Sequence, residues 1–159
     1  CVIRTGALPE GGVIARPLGK LTMVNCASPH YLTRFGYPQS PDDLTSHAIV
    51  RYTPHLGVHP LGFEVASVNG VQWFKSGGML TVNSSENYLT AGLAGLGIIQ
   101  IPRIAVREAL RAGRLIEVLP GYRAEPLSLS LVYPQRRELS RRVNLFMQWL
   151  AGVMKEYLA

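Results

Sequence analysis

The chain has 159 residues, 47% hydrophobic and 16% charged, enough for an ordinary globular core and, by length, one domain. Sixteen Lys and Arg against ten Asp and Glu leave a formal net charge of +6, so nucleic-acid binding is decided by where the charge lies and not by its sum. No apolar run approaches the roughly 20 residues that span a bilayer, no charged segment followed by an apolar one marks a signal peptide, and Cys1 and Cys26, with no Cys-x-x-Cys, make no disulfide framework.

Strand-like segments fall at 2–4, 13–15 and 21–26, with Cys26 as a small core residue. Ser28 is a good N-cap, Pro29 suits the first helical position, and Gly36 supplies a left-handed stop, so one short helix is specified between them. Ser40-Pro41 repeats the start signal, and Asp42 and Asp43 put negative charge on the positive end of a second short helix. Strands follow at 49–52, 62–68, 72–74 and 80–82. Asn69-Gly70 predicts a type I′ turn and an antiparallel hairpin, and Gly77-Gly78 a second bend.

Asn83-Ser84-Ser85-Glu86 offers a capping box for a helix carrying Tyr88, Leu89 and Leu93, whose Ala91, Gly92, Ala94 and Gly95 allow close approach to a sheet. After a strand at 97–101, Pro102 opens and Gly113 closes a further helix, and strands follow at 115–118 and 127–133. In the last of these, Leu127, Leu129, Leu131 and Tyr133 alternate with Ser128 and Ser130. Leu139, Val143, Phe146, Met147, Leu150, Val153, Met154 and Tyr157 give the final helix a broad apolar stripe, either core or partner-facing. Strands alternating with helices make the fold class α/β.

The string Ser28-Pro29-x-Tyr31-Leu32-x-x-x-Gly36-x-Pro38-x-x-Pro41-x-Asp43-Leu44-x-x-His47 resembles the effector-binding region of LysR-type bacterial transcriptional regulators. Three further stretches resemble it in the expected order: Ile3-Arg4-Thr5-Gly6 with Leu8-Pro9 and Ile14-Ala15-Arg16-Pro17-Leu18-Gly19, then Gly92 to Pro102, then Val132 to Val143. The resemblance covers nearly the whole chain. It implies a periplasmic-binding-protein-like fold, two subdomains joined by two crossover strands at 21–27 and 127–133. Subdomain II would be residues 28–132, and residues 1–27 with 133–159 the later half of an incomplete subdomain I with an open sheet edge. The start at Cys1 instead of methionine fits a fragment, with the winged helix-turn-helix of such regulators absent from this chain.

Chemistry in the residues themselves is sparse. His30, His47, His55 and His59 fall in predicted loops or helix ends. His55 and His59 have metal-ligand spacing, but Pro54, Gly57 and Pro60 oppose a helix there and no third ligand is suggested. No Gly-x-Ser-x-Gly elbow, phosphate loop or dinucleotide fingerprint is present, so neither an enzyme nor a cofactor is expected. Arg103, Arg107 and Arg111 make a solvated helix face, and Arg136, Arg137, Arg141 and Arg142 lack interleaved aromatics, so the fragment itself should not read DNA.

A small-molecule site is better motivated, because strand ends and helix N-termini in α/β folds present free N–H groups that favour anions. The resemblance places it between Thr5 and Gly6 on one side and Asn83 and Ser84 on the other, with Gln100 nearby. Helix capping accounts for the two serines equally well. The implied function is effector sensing in a cytoplasmic, homodimeric or tetrameric regulator that meets promoter DNA only through its N-terminal domain and has no membrane partner. A solute-binding protein of a transport system is the alternative.

Overall fold

The computed structural model describes residues 1–6, 12–53, 62–134 and 140–158, the side chains of Met79 and Pro134 excepted. In chain order the elements are β1 (Val2–Thr5), β2 (Val13–Leu21), β3 (Met23–Ala27), α1 (Pro29–Phe35), a 3-10 turn (Pro41–Thr45), β4 (Ala48–Tyr52), β5 (Phe63–Ser67) and β6 (Gly70–Phe74). There follow β7 (Gly77–Val82), α2 (Ser85–Leu93), β8 (Ile99–Pro102), α3 (Arg103–Arg111), β9 (Ile116–Glu117), β10 (Leu127–Pro134), α4 (Arg141–Met154) and a 3-10 turn (Lys155–Tyr157). They form two compact units, Cys1–Thr22 with Pro126–Ala159, and Met23–Glu125.

In the first unit β10 lies between β1 and β2, antiparallel to both, with Ile3 and Arg16 opposite Leu131. The alternation of its leucines sends Leu131 onto Met147 and Leu150 of α4, with Leu18, Tyr133, Val143 and Met154 around them. Truncating such a buried side chain to Ala costs about 2–5 kcal/mol. The apolar stripe of α4 therefore divides. Val143, Met147, Leu150 and Met154 meet the sheet, while Leu145, Phe146, Trp149 and Val153 are exposed. Leu139 lies outside the described residues. β1 and β2 are the outer strands, and Val2 and Ile3 are exposed there.

The second unit is built on β8-β3-β9, in which β3 is antiparallel to both neighbours, and on the parallel pair β4-β7. A parallel bridge joins them edge to edge, Ile49 opposite Ile98, with Val50 N–H donating to Ile98 O at 3.0 Å and Ile98 N–H to Ala48 O at 2.9 Å. Helices α2 and α3 bury Tyr88, Ala91, Val106 and Ala109 with Val24, Cys26, Val50, Ile99 and Ile101. A second cluster holds Ala27, Ile49 and Ile98 with Tyr31, Leu32, Leu44, Phe63 and Val65, so α1, the first 3-10 turn and the β5-β6 hairpin pack there.

Local signals act as physical chemistry requires. Ser28 Oγ accepts the Tyr31 N–H, Pro29 starts α1, and Gly36 follows it at φ 81°. In the 3-10 turn Asp43 Oδ2 accepts the Ser40 N–H at 2.9 Å. Gly92 passes so close to β8 that a Cβ there would lie 2.6 Å from Ile99 Cδ1, which is what its small size permits.

Four expectations need correction. The cap of α2 is Ser84, whose Oγ accepts the Asn87 N–H, because Glu86 binds Ser84 Oγ instead of reaching back to an Asn83 cap. The hairpin turn is Val68-Asn69, with the positive φ on Gly70 (108°) and not on Asn69, so it is not type I′. Gly77 and Gly78 lie within β7 instead of separating two strands, at a register shift between Ala48 and Val50 where a Cβ on Gly78 would meet Ile49 O at 3.1 Å and Arg51 Nε at 2.9 Å. Finally, no continuous strand runs through 21–27: Leu21 pairs with Leu127 and Met23 with Pro102, a change of partner that breaks the ladder at Thr22. β10 pairs within the first unit, and the chain passes between units at Thr22–Met23 and Glu125–Pro126.

Candidate functional site

The parallel strands β4 and β7 end level, Tyr52 opposite Val82, and the Thr53 N–H extends the ladder to Val82 O at 2.9 Å. Asn83 follows, then the Ser84 cap, so the first turn of α2 opens at the carboxyl ends of both strands. Amides of that turn have no intrahelical acceptors and attract negative charge. Part of this capacity is already taken. Ser84 Oγ donates to Glu86 Oε2 at 2.6 Å, and this bond, the Glu86 N–H and Ser85 Oγ hold the exposed carboxylate below its usual range. The Tyr52 ring lies beside Tyr88, centroids 5.7 Å apart.

Gln100 stands in β8 directly opposite Asn25 of β3. Its Nε2 donates to Asn25 Oδ1 at 2.9 Å and Glu64 O at 2.8 Å, and its Oε1 accepts the Glu64 N–H at 3.4 Å. Both amide N–H groups are thus committed, leaving a ligand only acceptor capacity on Oε1. Asn25 is fully buried and donates to Leu119 O at 3.2 Å and Tyr122 O at 2.8 Å. Tyr88 Oη accepts the Gln100 N–H at 2.8 Å, and burial pushes this phenol up to about 12.

Asn83, Ser84 and Gln100 all belong to the second unit, where Gln100 meets the helix that Ser84 caps through Tyr88 Oη. Thr5 and Gly6 belong to the first, Thr5 exposed at the end of β1 opposite Leu129, and Gly6, at φ 78°, donating to Ser128 O at 3.0 Å. Sequence reasoning missed Asn25, Glu64, Tyr52 and the engagement of Glu86. A signal for Asn25 was present, since single polar residues in the runs Met23–Ala27 and Ile99–Pro102 had to find each other or lose their hydrogen bonds.

The other sequence candidates lie elsewhere. His47 is buried against Tyr31, His30 is exposed, and His55 and His59 lie outside the described residues. Among the described residues no group of three His, Cys, Asp or Glu is arranged to hold a metal, and no helix is long and apolar enough to cross a membrane. On α3, Arg103 pairs with Glu117 at 3.0 Å and Arg111 with Glu108 at 3.0 Å, and Glu117 also binds Arg123. Arg136 and Arg137 lie outside the described residues, while Arg141 and Arg142 are exposed at the start of α4.

A model of the LysR substrate binding domain matches residues 1–155. Over 158 residues the chain is 99% identical to the HTH-type transcriptional regulator YhjC of Escherichia coli K12, covering 99% of this chain and 53% of that protein. It is 31% identical over 157 residues to the HTH-type transcriptional activator AaeR of the same organism, covering 98% of this chain and 50% of that one. The chain spans about half the length of these relatives. Among solved structures it resembles the regulatory domain of CrgA, a LysR-type regulator from Neisseria meningitidis, with a TM-score of 0.80 at 26% identity, over 95% of this chain and 73% of that one.

Proposed function

The chain belongs to the LysR substrate binding domain family of transcriptional regulators, and on that premise we propose that it senses a small-molecule effector and passes its occupancy to a DNA-binding domain in the full-length regulator. The observation that carries this reading is the family match over residues 1–155. The opening of α2 at the level ends of β4 and β7 supports it, because that edge is where α/β sheets present donors to ligands.

The effector contacts are Asn83, Ser84 and Gln100 in one unit and Thr5 and Gly6 in the other. The positive end of α2 favours an acceptor or anion, which must share that end with Glu86 and the Ser84 cap. The full-length protein acts in the cytoplasm as a homodimer or tetramer and meets promoter DNA through its N-terminal domain. It works by binding and not by catalysis. The regulators named above favour this over a solute-binding role in transport.

The test begins with a thermal-shift screen of small organic acids, in which a ligand at 100 times its Kd stabilises by about 2.7 kcal/mol. In the full-length regulator Ser84→Ala and Thr5→Val should weaken the promoter response to the compound found and leave operator affinity unchanged. Dose-response curves unmoved by either substitution overturn the site, and a screen without any stabilising acid removes the anionic effector.

A further inference from the structure

Two peptide links carry the chain between its units, Thr22–Met23 and Glu125–Pro126. Three residues past the first link, Asn25 uses both N–H groups of its amide on the carbonyls of Leu119 and Tyr122, in the segment that leads to the second. Leu119 has φ 49°, and among the described residues no other side-chain-bearing residue has a positive φ. A non-glycine residue keeps that conformation only where its surroundings over-determine it. The same segment is held from the hairpin, Ala66 N–H donating to Arg123 O at 2.8 Å and Glu125 N–H to Glu64 Oε1 at 3.0 Å.

Gln100 ties these holds together. Its side chain binds Asn25 on one side and the backbone of Glu64 on the other. Its own N–H and carbonyl are bonded to Tyr88 Oη, and Tyr88 lies one turn into α2, its N–H donating to Ser84 O at 2.9 Å. A continuous run of hydrogen bonds thus leads from the capped end of α2 to Asn25, just past the first link, and to the segment that enters the second.

We propose that Asn25 and Gln100 form an amide clasp that couples the first turn of α2 to both segments joining the units, which makes Tyr88 and Asn25 positioning residues for effector response. This rests on the reading of the chain as an effector sensor. A ligand that draws on the α2 cap or the open lone pair of Gln100 Oε1 shifts Tyr88 or the Gln100 amide. The hold on Leu119 and Tyr122 shifts with them, because each amide in the clasp has its donors already committed and one cannot turn without the other.

The test uses a full-length regulator carrying this sequence, with Tyr88→Phe and Asn25→Asp, read by amide hydrogen exchange and promoter output. Exchange in peptides covering 23–27 and 119–125 should rise about three- to tenfold in each variant. Promoter output should shift about threefold or more with operator affinity held within about twofold. Tyr88→Phe removes one hydroxyl and keeps the ring, so it decides the matter should Asn25→Asp fail to fold. Exchange changes confined to the substituted strand or helix overturn the clasp. Exchange that spreads to 119–125 without any change in output makes it a purely structural brace and also overturns the proposal. Failure of the sensor reading shows separately, as a wild-type output that no screened compound alters.

Discussion

The Tyr31 hydroxyl lies 3.0 Å from His47 Nδ1, with both residues buried, and the same oxygen accepts the Ala48 N–H at 2.9 Å. The phenol thus accepts from the backbone, and its proton has two acceptors within reach, Ala48 O at 3.4 Å and, in the tautomer with Nδ1 unprotonated, His47 Nδ1. It joins the first turn of α1 to the start of β4, so His47 is a structural member of the core. Burial lowers its pKa below the ordinary 6.5, and the charge of Asp43 offsets this only in part.

His47 binds protons less readily folded than unfolded, so its contribution is fully present above about pH 6.5 and is lost as pH falls through the lowered folded value. Asp43, itself held low by the Gln39 and Ser40 N–H groups, titrates below 3.8 and stays out of that window. Urea unfolding between pH 7.5 and 5 should show the wild type losing more stability than His47→Gln. Parallel pH profiles for the two proteins would remove His47 as the cause.

Burial, with Glu117 adding repulsion, pushes the Cys26 thiol up to about 12, whereas Cys1 is exposed. Since the thiolate is the reacting species, a thiol reagent at pH 8 should label Cys1 within minutes and Cys26 only after denaturation. Equal labelling rates in the native protein would contradict the burial of β3.

Two glycines near β8 should respond differently to alanine. At Gly97, φ 159°, a Cβ would sit 2.6 Å from Ala48 O, a backbone atom bound in the bridge to β4, and Gly97→Ala should cost about 2–4 kcal/mol. At Gly92 the obstacle is the end of the Ile99 side chain, which can shift, and Ala regains about 1 kcal/mol of helix propensity. Denaturant midpoints should rank wild type above or near Gly92→Ala and well above Gly97→Ala.

Glu86 occupies the helix end that an anionic ligand needs. Glu86→Gln removes that charge while keeping an acceptor for Ser84 Oγ, so small carboxylates such as benzoate should stabilise the variant more than the wild type. An identical benzoate thermal shift for both proteins would show that Glu86 does not compete.

Short-range chemistry was legible in the residues alone. Ser28, Pro29 and Gly36 bound α1 because capping and left-handed φ are settled within a few residues, and the four family-like stretches sufficed to identify the LysR family and its α/β fold. Where two local solutions compete, the sequence is silent. Glu86 could reach an Asn83 cap or bind Ser84 Oγ, and Asn69-Gly70 could place its positive φ on one residue or two; packing selected among states within about 1 kcal/mol of each other. Only the tertiary structure decided that Gln100 spends its amide on Asn25 and Glu64, because these partners lie 75 and 36 residues away and meet through strand register. Buried amides cannot be left unpaired, which makes such partners obligatory once the strands align. The sequence shows that Asn25 and Gln100 need partners, and the register of β3 against β8 makes them each other's.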